Sequence, residues 1–195
     1  MISPELSRYA VPALAALLAA CTTPPSSGNW QQLFVGDQSG WSTVGDADWS
    51  LDDQVLTASN ATTNSFIVTN QTYDDFRLQL EFYPVGETNS GVYMRCERDK
   101  ITPADCYEAN IADNHQNKLA RTGSLVGHTV PKVRSETVDR WNSYEIIADG
   151  NHITIWINGV QTSTFESATI PEGLIALQLF GKGEVRFRNI RIQEL

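Results

Sequence analysis

Apolar residues in this chain recur mainly at every second position. Phe76, Leu78, Leu80 and Phe82 alternate with Arg77, Gln79, Glu81 and Tyr83, the pattern of a strand that buries one face and wets the other. Ile153, Ile155 and Ile157 alternate with His152, Thr154 and Trp156. Asn158-Gly159 follows, a pair that readily takes the positive φ of a tight hairpin, so 160–165 reads as the return strand. Val185 and Phe187 are out of phase with Ile190 and Ile192, which predicts a bulge near Arg188-Asn189. Two short strands, 49–51 and 55–57, should pair across Asp52-Asp53-Gln54. Others are expected at 65–69, 91–97, 107–112, 143–148 and 174–180. Helical spacing is never sustained, and many short strands with regular turn signals predict an all-β sandwich or jelly roll. The exception is 113–139, rich in Gly, Pro, Asn and charge, where a loop of this length is expected to serve function or to move.

The first segment stands apart from that pattern. Arg8 precedes an alanine- and leucine-rich run over 10–20 that is too short to span a bilayer, for which about 20 apolar residues are needed. It has the length of a signal-peptide core. Leu18-Ala19-Ala20-Cys21 resembles the lipobox of bacterial lipoproteins, which implies lipidation at Cys21 after cleavage. The expected organisation is a signal peptide over 1–21, a Pro- and Ser-rich tether over 22–28, and one domain over 29–195. This places the protein in the bacterial cell envelope, held to a membrane by its lipid alone.

Charge and cysteines narrow the chemistry. The leader carries one acid and one base, Glu5 and Arg8, so the mature chain keeps the formal charge of −9. An acidic domain without a basic cluster excludes nucleic acid, which is gripped through its phosphates by Lys and Arg. It disfavours strongly anionic ligands as well and leaves neutral ones open. With Cys21 assigned to lipid, Cys96 and Cys106 remain in an oxidising compartment, where a disulfide is expected. Two cysteines without histidines at ligand spacing make no metal site, and no glycine-rich loop points to a nucleotide cofactor. Neither a metal nor a cofactor is expected.

Strand phase sorts the candidate chemistry. Over 91–97, Val92, Met94 and Cys96 should share one face, with Tyr93, Arg95 and Glu97 on the other. Ala109 and Ile111 should point inward, leaving Glu108 and Asn110 outward. Ile175, Leu177 and Leu179 should be core, placing Gln178 and Phe180 opposite. If these strands share a sheet, one surface gathers Tyr93, Arg95, Glu108, Asn110 and Gln178, a set suited to a neutral polyhydroxylated ligand such as a sugar. The simpler alternative is a solvated face with an Arg95–Glu108 cross-strand pair, worth little in stability. The paired carboxylates of a retaining glycosidase are absent, since Asn110 stands where the second acid would be.

The ordered motifs along 30–195 resemble one family. Leu33-Phe34 with Gly40-Trp41, Asp75-Phe76-Arg77-Leu78, Asn89-Ser90-Gly91-Val92-Tyr93-Met94-Arg95 and Tyr107-Glu108-Ala109-Asn110-Ile111 are similar to segments of the bacterial 3-keto-disaccharide hydrolase domain. So are Thr122-Gly123-Ser124-Leu125, Trp141-Asn142-Ser143-Tyr144-Glu145-Ile146 and Gly173-Leu174-Ile175-Ala176-Leu177-Gln178. The resemblance implies a concanavalin-like jelly-roll sandwich of two antiparallel sheets and action on glycosides carrying a ketone at sugar C3. A C3 ketone acidifies the C2 hydrogen, so one base can remove it, the C1 substituent leaves, and water adds back. On this reading Glu108 is the base and Arg95 its electrostatic partner, with Asn89, Tyr93, Asn110, Gln178 and His128 binding substrate. Three positions depart from the family: Phe180 replaces a histidine before Gly181, Asn110 replaces a glutamine, and Val126 replaces a loop tyrosine. They keep open a non-catalytic carbohydrate-binding module and, further off, a structural envelope protein.

Overall fold

Alternating strands bury their apolar faces only by pairing side by side and stacking sheet on sheet. The structure, a computed structural model, describes residues 29–34 and 37–195. Cys21, the expected signal peptide and the tether lie outside the described residues. The strands are β1 (Gln31–Gln32), β2 (Trp41–Val44), β3 (Asp48–Asp52), β4 (Val55–Ser59), β5 (Asn64–Tyr73), β6 (Phe76–Val85) and β7 (Asn89–Cys96). They continue as β8 (Tyr107–Ile111), β9 (Asn142–Asp149), β10 (His152–Ile157), β11 (Val160–Phe165), β12 (Gly173–Phe180) and β13 (Glu184–Glu194). Among the described residues they form two antiparallel sheets. One runs β11-β10-β9-β6-β13-β4-β3, with β1 also on β13; the other runs β2-β5-β12-β7-β8.

The core lies between them. Phe76, Leu78, Leu80 and Phe82 of β6 and Val185 and Phe187 of β13 face Val92, Met94, Ala109, Ile111, Ile175 and Leu177 of the smaller sheet. Each large apolar side chain buried there contributes about 1.5–3 kcal/mol over an exposed one. The turn after β10 has φ of +51° at Asn158 and +75° at Gly159, as the pair requires. The expected bulge on β13 is present: the register with β6 shifts between Arg188 and Arg191, and Asn189 has φ +53°.

A second bulge escapes the sequence pattern. On β7, Cys96 pairs with Leu174 and Tyr93 with Ala176, so β7 carries one residue more than β12 between them. Arg95 takes up the extra length with φ +57°. Beyond it the alternation inverts. Met94 stays inward with Val92, but Cys96 joins Tyr93 on the outer face, in a small cluster with Phe66, Ile101, Cys106 and Ala176. The expected common face of Val92, Met94 and Cys96 is corrected accordingly. Gly173 makes the bulge possible, because a Cβ there would overlap the Arg95 backbone. Cys96 and Cys106 form the expected disulfide, with Cα atoms 4.9 Å apart and a sequence separation of 10. Closing so short a loop contributes about 3 kcal/mol in the chain-entropy account.

The long connection after β8 is pinned to the sheet. Asp113 accepts from the Thr122 and Thr137 hydroxyls at 2.5 and 2.8 Å. Residues 122–126 run beside β8, where Gly123 N–H donates to Asn110 O at 3.0 Å, Asn110 N–H to Ser124 O at 3.1 Å, and Val126 N–H to Glu108 O at 2.9 Å. The stretch that reads as irregular in sequence therefore lengthens the smaller sheet by a further short edge.

Candidate functional site

Direct cross-strand partners share a face, so the pairing register shows what the outer surface of the smaller sheet presents. Phe66 pairs with Gln178, Gln178 with Gly91, and Gly91 with Asn110. Asn110 in turn meets Ser124 of the added edge. One step along, Ala176 pairs with Tyr93 and Tyr93 with Glu108. One step the other way, Asn64 pairs with Phe180 and Phe180 with Asn89. Of the expected gathering of Tyr93, Arg95, Glu108, Asn110 and Gln178, the register brings together all but Arg95, with Asn89 on the same face.

Unmet hydrogen-bond capacity concentrates on that face. Six buried side-chain N or O atoms among the described residues have no partner, and four of them are Asn89 Oδ1, Asn110 Oδ1, Gln178 Oε1 and Ser124 Oγ. A buried polar atom left unpaired costs about 1–3 kcal/mol, so four on one surface call for a common explanation. Two of the amide orientations are fixed from within. Asn110 Nδ2 donates to Ala120 O. Gln178 Nε2 donates to Asn64 Oδ1 at 2.8 Å and to the Tyr93 hydroxyl at 3.2 Å. The unmet atoms so fixed are two carbonyl acceptors, Asn110 Oδ1 and Gln178 Oε1, with Asn89 Oδ1 and the Ser124 hydroxyl beside them. A ligand that satisfies them must bring O–H or N–H donors, as a sugar does and an anion does not.

Glu108 lies on β8 beside Tyr93. It is 6 % exposed, and burial pushes its carboxyl up to about 7, while a hydrogen bond from Tyr93 pulls the other way. The Tyr93 phenol is itself raised, first by burial and then by the Glu108 charge. A carboxyl titrating near neutrality can accept a proton at one moment and return it at the next. Its position depends on Gly91, where a Cβ would stand 2.8 Å from Glu108 Oε1 and 3.2 Å from its Cγ. Gly91→Ala should leave the β7–β8 pairing intact, yet displace the carboxylate and lower turnover. A pH–rate profile and a thermal melt together check this; full activity in a folded variant would show that the carboxylate need not lie there.

Two candidates leave the site. Arg95, expected as the electrostatic partner of Glu108, turns to the opposite side because of the bulge. Its side chain is 0 % exposed, and its five N–H bonds run to Asp74 O at 3.1 and 3.0 Å, Gly150 O at 2.8 Å, Ile170 O at 2.9 Å and Asp75 Oδ1 at 2.9 Å. A guanidinium has five donors, so none remains for a substrate. His128 is exposed and packs against Phe165, ring centroids 4.6 Å apart, and against Tyr107, which belongs to the core side of β8. Neither residue meets Glu108. Sequence reasoning overlooked Ser124, Asn64 and Phe66. Ser124 could be found only once 122–126 was known to pair with β8; Phe66 lies within the expected strand 65–69, where the unbroken run Phe66-Ile67-Val68 marks no face, and Asn64 falls one residue before it.

The profile of the 3-keto-alpha-glucoside-1,2-lyase-like domain matches residues 29–193. The chain belongs to this family. Among solved structures, this family member is similar to a candidate glycosyl hydrolase from Parabacteroides distasonis, at 25 % identity over 86 % of this chain and 100 % of that one, with a TM-score of 0.74. Two others share its fold. The carbohydrate-binding module CBM66 from Bacillus subtilis has 17 % identity over 80 % of this chain and 96 % of its own, TM-score 0.64. A Bacillus licheniformis β-glucanase has 12 % identity over 86 % and 98 %, TM-score 0.61. No curated protein matches the chain in sequence. The jelly-roll sandwich and a carbohydrate-directed domain stand on these grounds.

Proposed function

We propose that this family member cleaves 3-keto-glycosides, with Glu108 as the only acid–base group. The observation that carries the reading is a buried carboxyl, held near pKa 7, on a face whose unmet atoms ask for hydroxyl donors. Glu108 removes the hydrogen from C2, and the electron pair passes to the C3 ketone oxygen as an enolate. The enolate collapses, the C1–O bond breaks, and the departing oxygen takes the proton from Glu108. Water then adds to the 1,2-ene-3-one, its hydroxyl at C1 and its proton, relayed by Glu108, at C2. The sum is hydrolysis with one carboxyl. With Arg95 committed elsewhere, the Ser124 hydroxyl on the same face is the group available to the enolate oxygen.

A carbohydrate-binding module is the second reading, favoured by Phe180. Where the family resemblance implies a histidine, this chain has an aromatic ring that is 52 % exposed and flanked by Asn64 and Asn89. Such a ring offers a flat surface to the C–H face of a sugar. One comparison separates the readings: p-nitrophenyl 3-keto-glucoside against the same glucoside unoxidised. The proposal expects nitrophenol from the keto substrate alone. Binding of both with release from neither supports the module, and equal release from both contradicts the role of the ketone.

A further inference from the structure

The outer face of the larger sheet carries features that catalysis on the other sheet leaves unused. Trp156 of β10 pairs with Glu145 of β9, Glu145 with Gln79 of β6, Gln79 with Arg191 of β13, and Arg191 with Gln32 of β1. Five strands thus place five long polar or aromatic side chains in one straight row, which at about 4.8 Å per strand extends roughly 19 Å. The row is locked internally. Gln79 Nε2 donates to Glu145 Oε2 at 2.7 Å, and Arg191 donates twice to Gln79 Oε1, at 3.0 and 2.7 Å. A cleft of about 630 Å³ lies along it, lined by these five residues and by Asn189 of the bulge.

Aromatic rings mark both ends. Trp156 lines the cleft at one end, and at the other Arg191 lies over the Trp30 ring, 4.7 Å from its centroid. Beside the row, Arg188 stacks 4.0 Å over Trp141 and pairs with Glu81 at 2.5 Å. Trp30, Trp141 and Trp156 are half-exposed, so three of the five tryptophans lie outside the core. Trp30 and Trp141 serve as stacking partners of Arg191 and Arg188, whereas Trp156 has no aromatic or cation–π partner among the described residues and leaves its ring for a bound apolar face. Each arginine on this face is paired with an acid or amide or stacked on a ring, so in a chain of charge −9 this surface is locally balanced. It suits neither a polyanion nor a cation.

We infer that this cleft is a second carbohydrate site, holding a stretch of neutral glycan chain with Trp156 as its stacking platform. Its rigid amide and carboxylate row would take up the sugar hydroxyls, and its distance from Glu108 across the sandwich makes it a retention site rather than a reacting one. The inference does not depend on the keto-glycoside chemistry.

The probes are unmodified glucose hexasaccharides, β-1,3-, β-1,4- and α-1,4-linked, titrated calorimetrically into the wild type and variants. At least one should bind the wild type, and Trp156→Ala should weaken that binding at least tenfold, with Trp156→Phe retaining most of it. Thermal melts confirm that both variants are folded, and both should release nitrophenol from p-nitrophenyl 3-keto-glucoside at the wild-type rate if the wild type does so. Binding by none of the three, or binding unchanged in Trp156→Ala, overturns the inference. So does binding abolished by Phe180→Ala on the opposite sheet instead.

Discussion

Glu108→Gln should lose turnover of a 3-keto-glucoside by about 10²-fold or more while still binding the sugar, because the amide keeps the shape and cannot take a proton. The same substitution should make the protein more stable in alkali. Burial raises the Glu108 carboxyl from 4.5 to about 7, so the folded state holds this proton more tightly than the unfolded chain. The stability this contributes is fully present below about pH 4.5 and is lost as pH rises through about 7, because the folded protein must then bury an ionised group. The loss amounts to about 3 kcal/mol for a shift of this size. Urea unfolding should therefore show Glu108→Gln and wild type alike near pH 4, and the variant ahead by up to that amount at pH 8. Wild-type activity should move the opposite way, rising through pH 7 as the carboxylate forms. A variant that is equally stable at both pH values would mean that Glu108 is not desolvated in solution.

Arg95→Lys should do the reverse: a large cost in stability and none in catalysis per folded molecule. The guanidinium joins the Asp74–Asp75 turn, Gly150 and Ile170 through five hydrogen bonds. Asp75 Oδ1 also accepts from Gly150 N–H at 2.8 Å, so the segments before β6, after β9 and before β12 are fastened at one point. An ammonium has three donors and no planar fork, so at least two of these five hydrogen bonds are lost. At about 1–3 kcal/mol for each, the loss should reach roughly 3 kcal/mol, seen as a lower urea midpoint. Turnover corrected for the folded fraction should match wild type. A selective fall in turnover, with stability unchanged, would return Arg95 to the reaction.

These two residues show where sequence reasoning holds and where it stops. Glu108 and Asn110 face outward because Ala109 and Ile111 face inward, and nothing interrupts β8 between them, so period-two alternation suffices. Tyr93 and Gln178 follow by the same logic from Val92 and Leu177. Arg95 fails because one residue of bulge inverts every later position on the strand. The Val185–Ile190 bulge was legible, since apolar residues on both sides of it reveal the change of phase. At Arg95 the strand ends one residue later, and Cys96, at home on either face, gives no such sign. The cause lies far along the chain, in the bare backbone of Gly173 that lets β12 approach. Likewise, no periodicity in 122–126 announces that it pairs with β8, because Gly123 and Ser124 are too small to mark a face. His128 has chemistry suited to the site, but no periodicity in its loop places it, and its ring packs on Phe165 and Tyr107.

Cleavage by this route begins with removal of the C2 hydrogen by Glu108, so the fate of that hydrogen decides the mechanism. A 3-keto-glucoside cleaved in D₂O, with the product examined by proton NMR at early times against enzyme-free substrate and product, reports the exchange. If Glu108 abstracts the proton and water adds back, the released 3-keto sugar carries deuterium at C2, and Glu108→Gln forms neither that product nor exchanged substrate above background. A wild-type product that keeps its C2 proton, released at full rate, would contradict the mechanism.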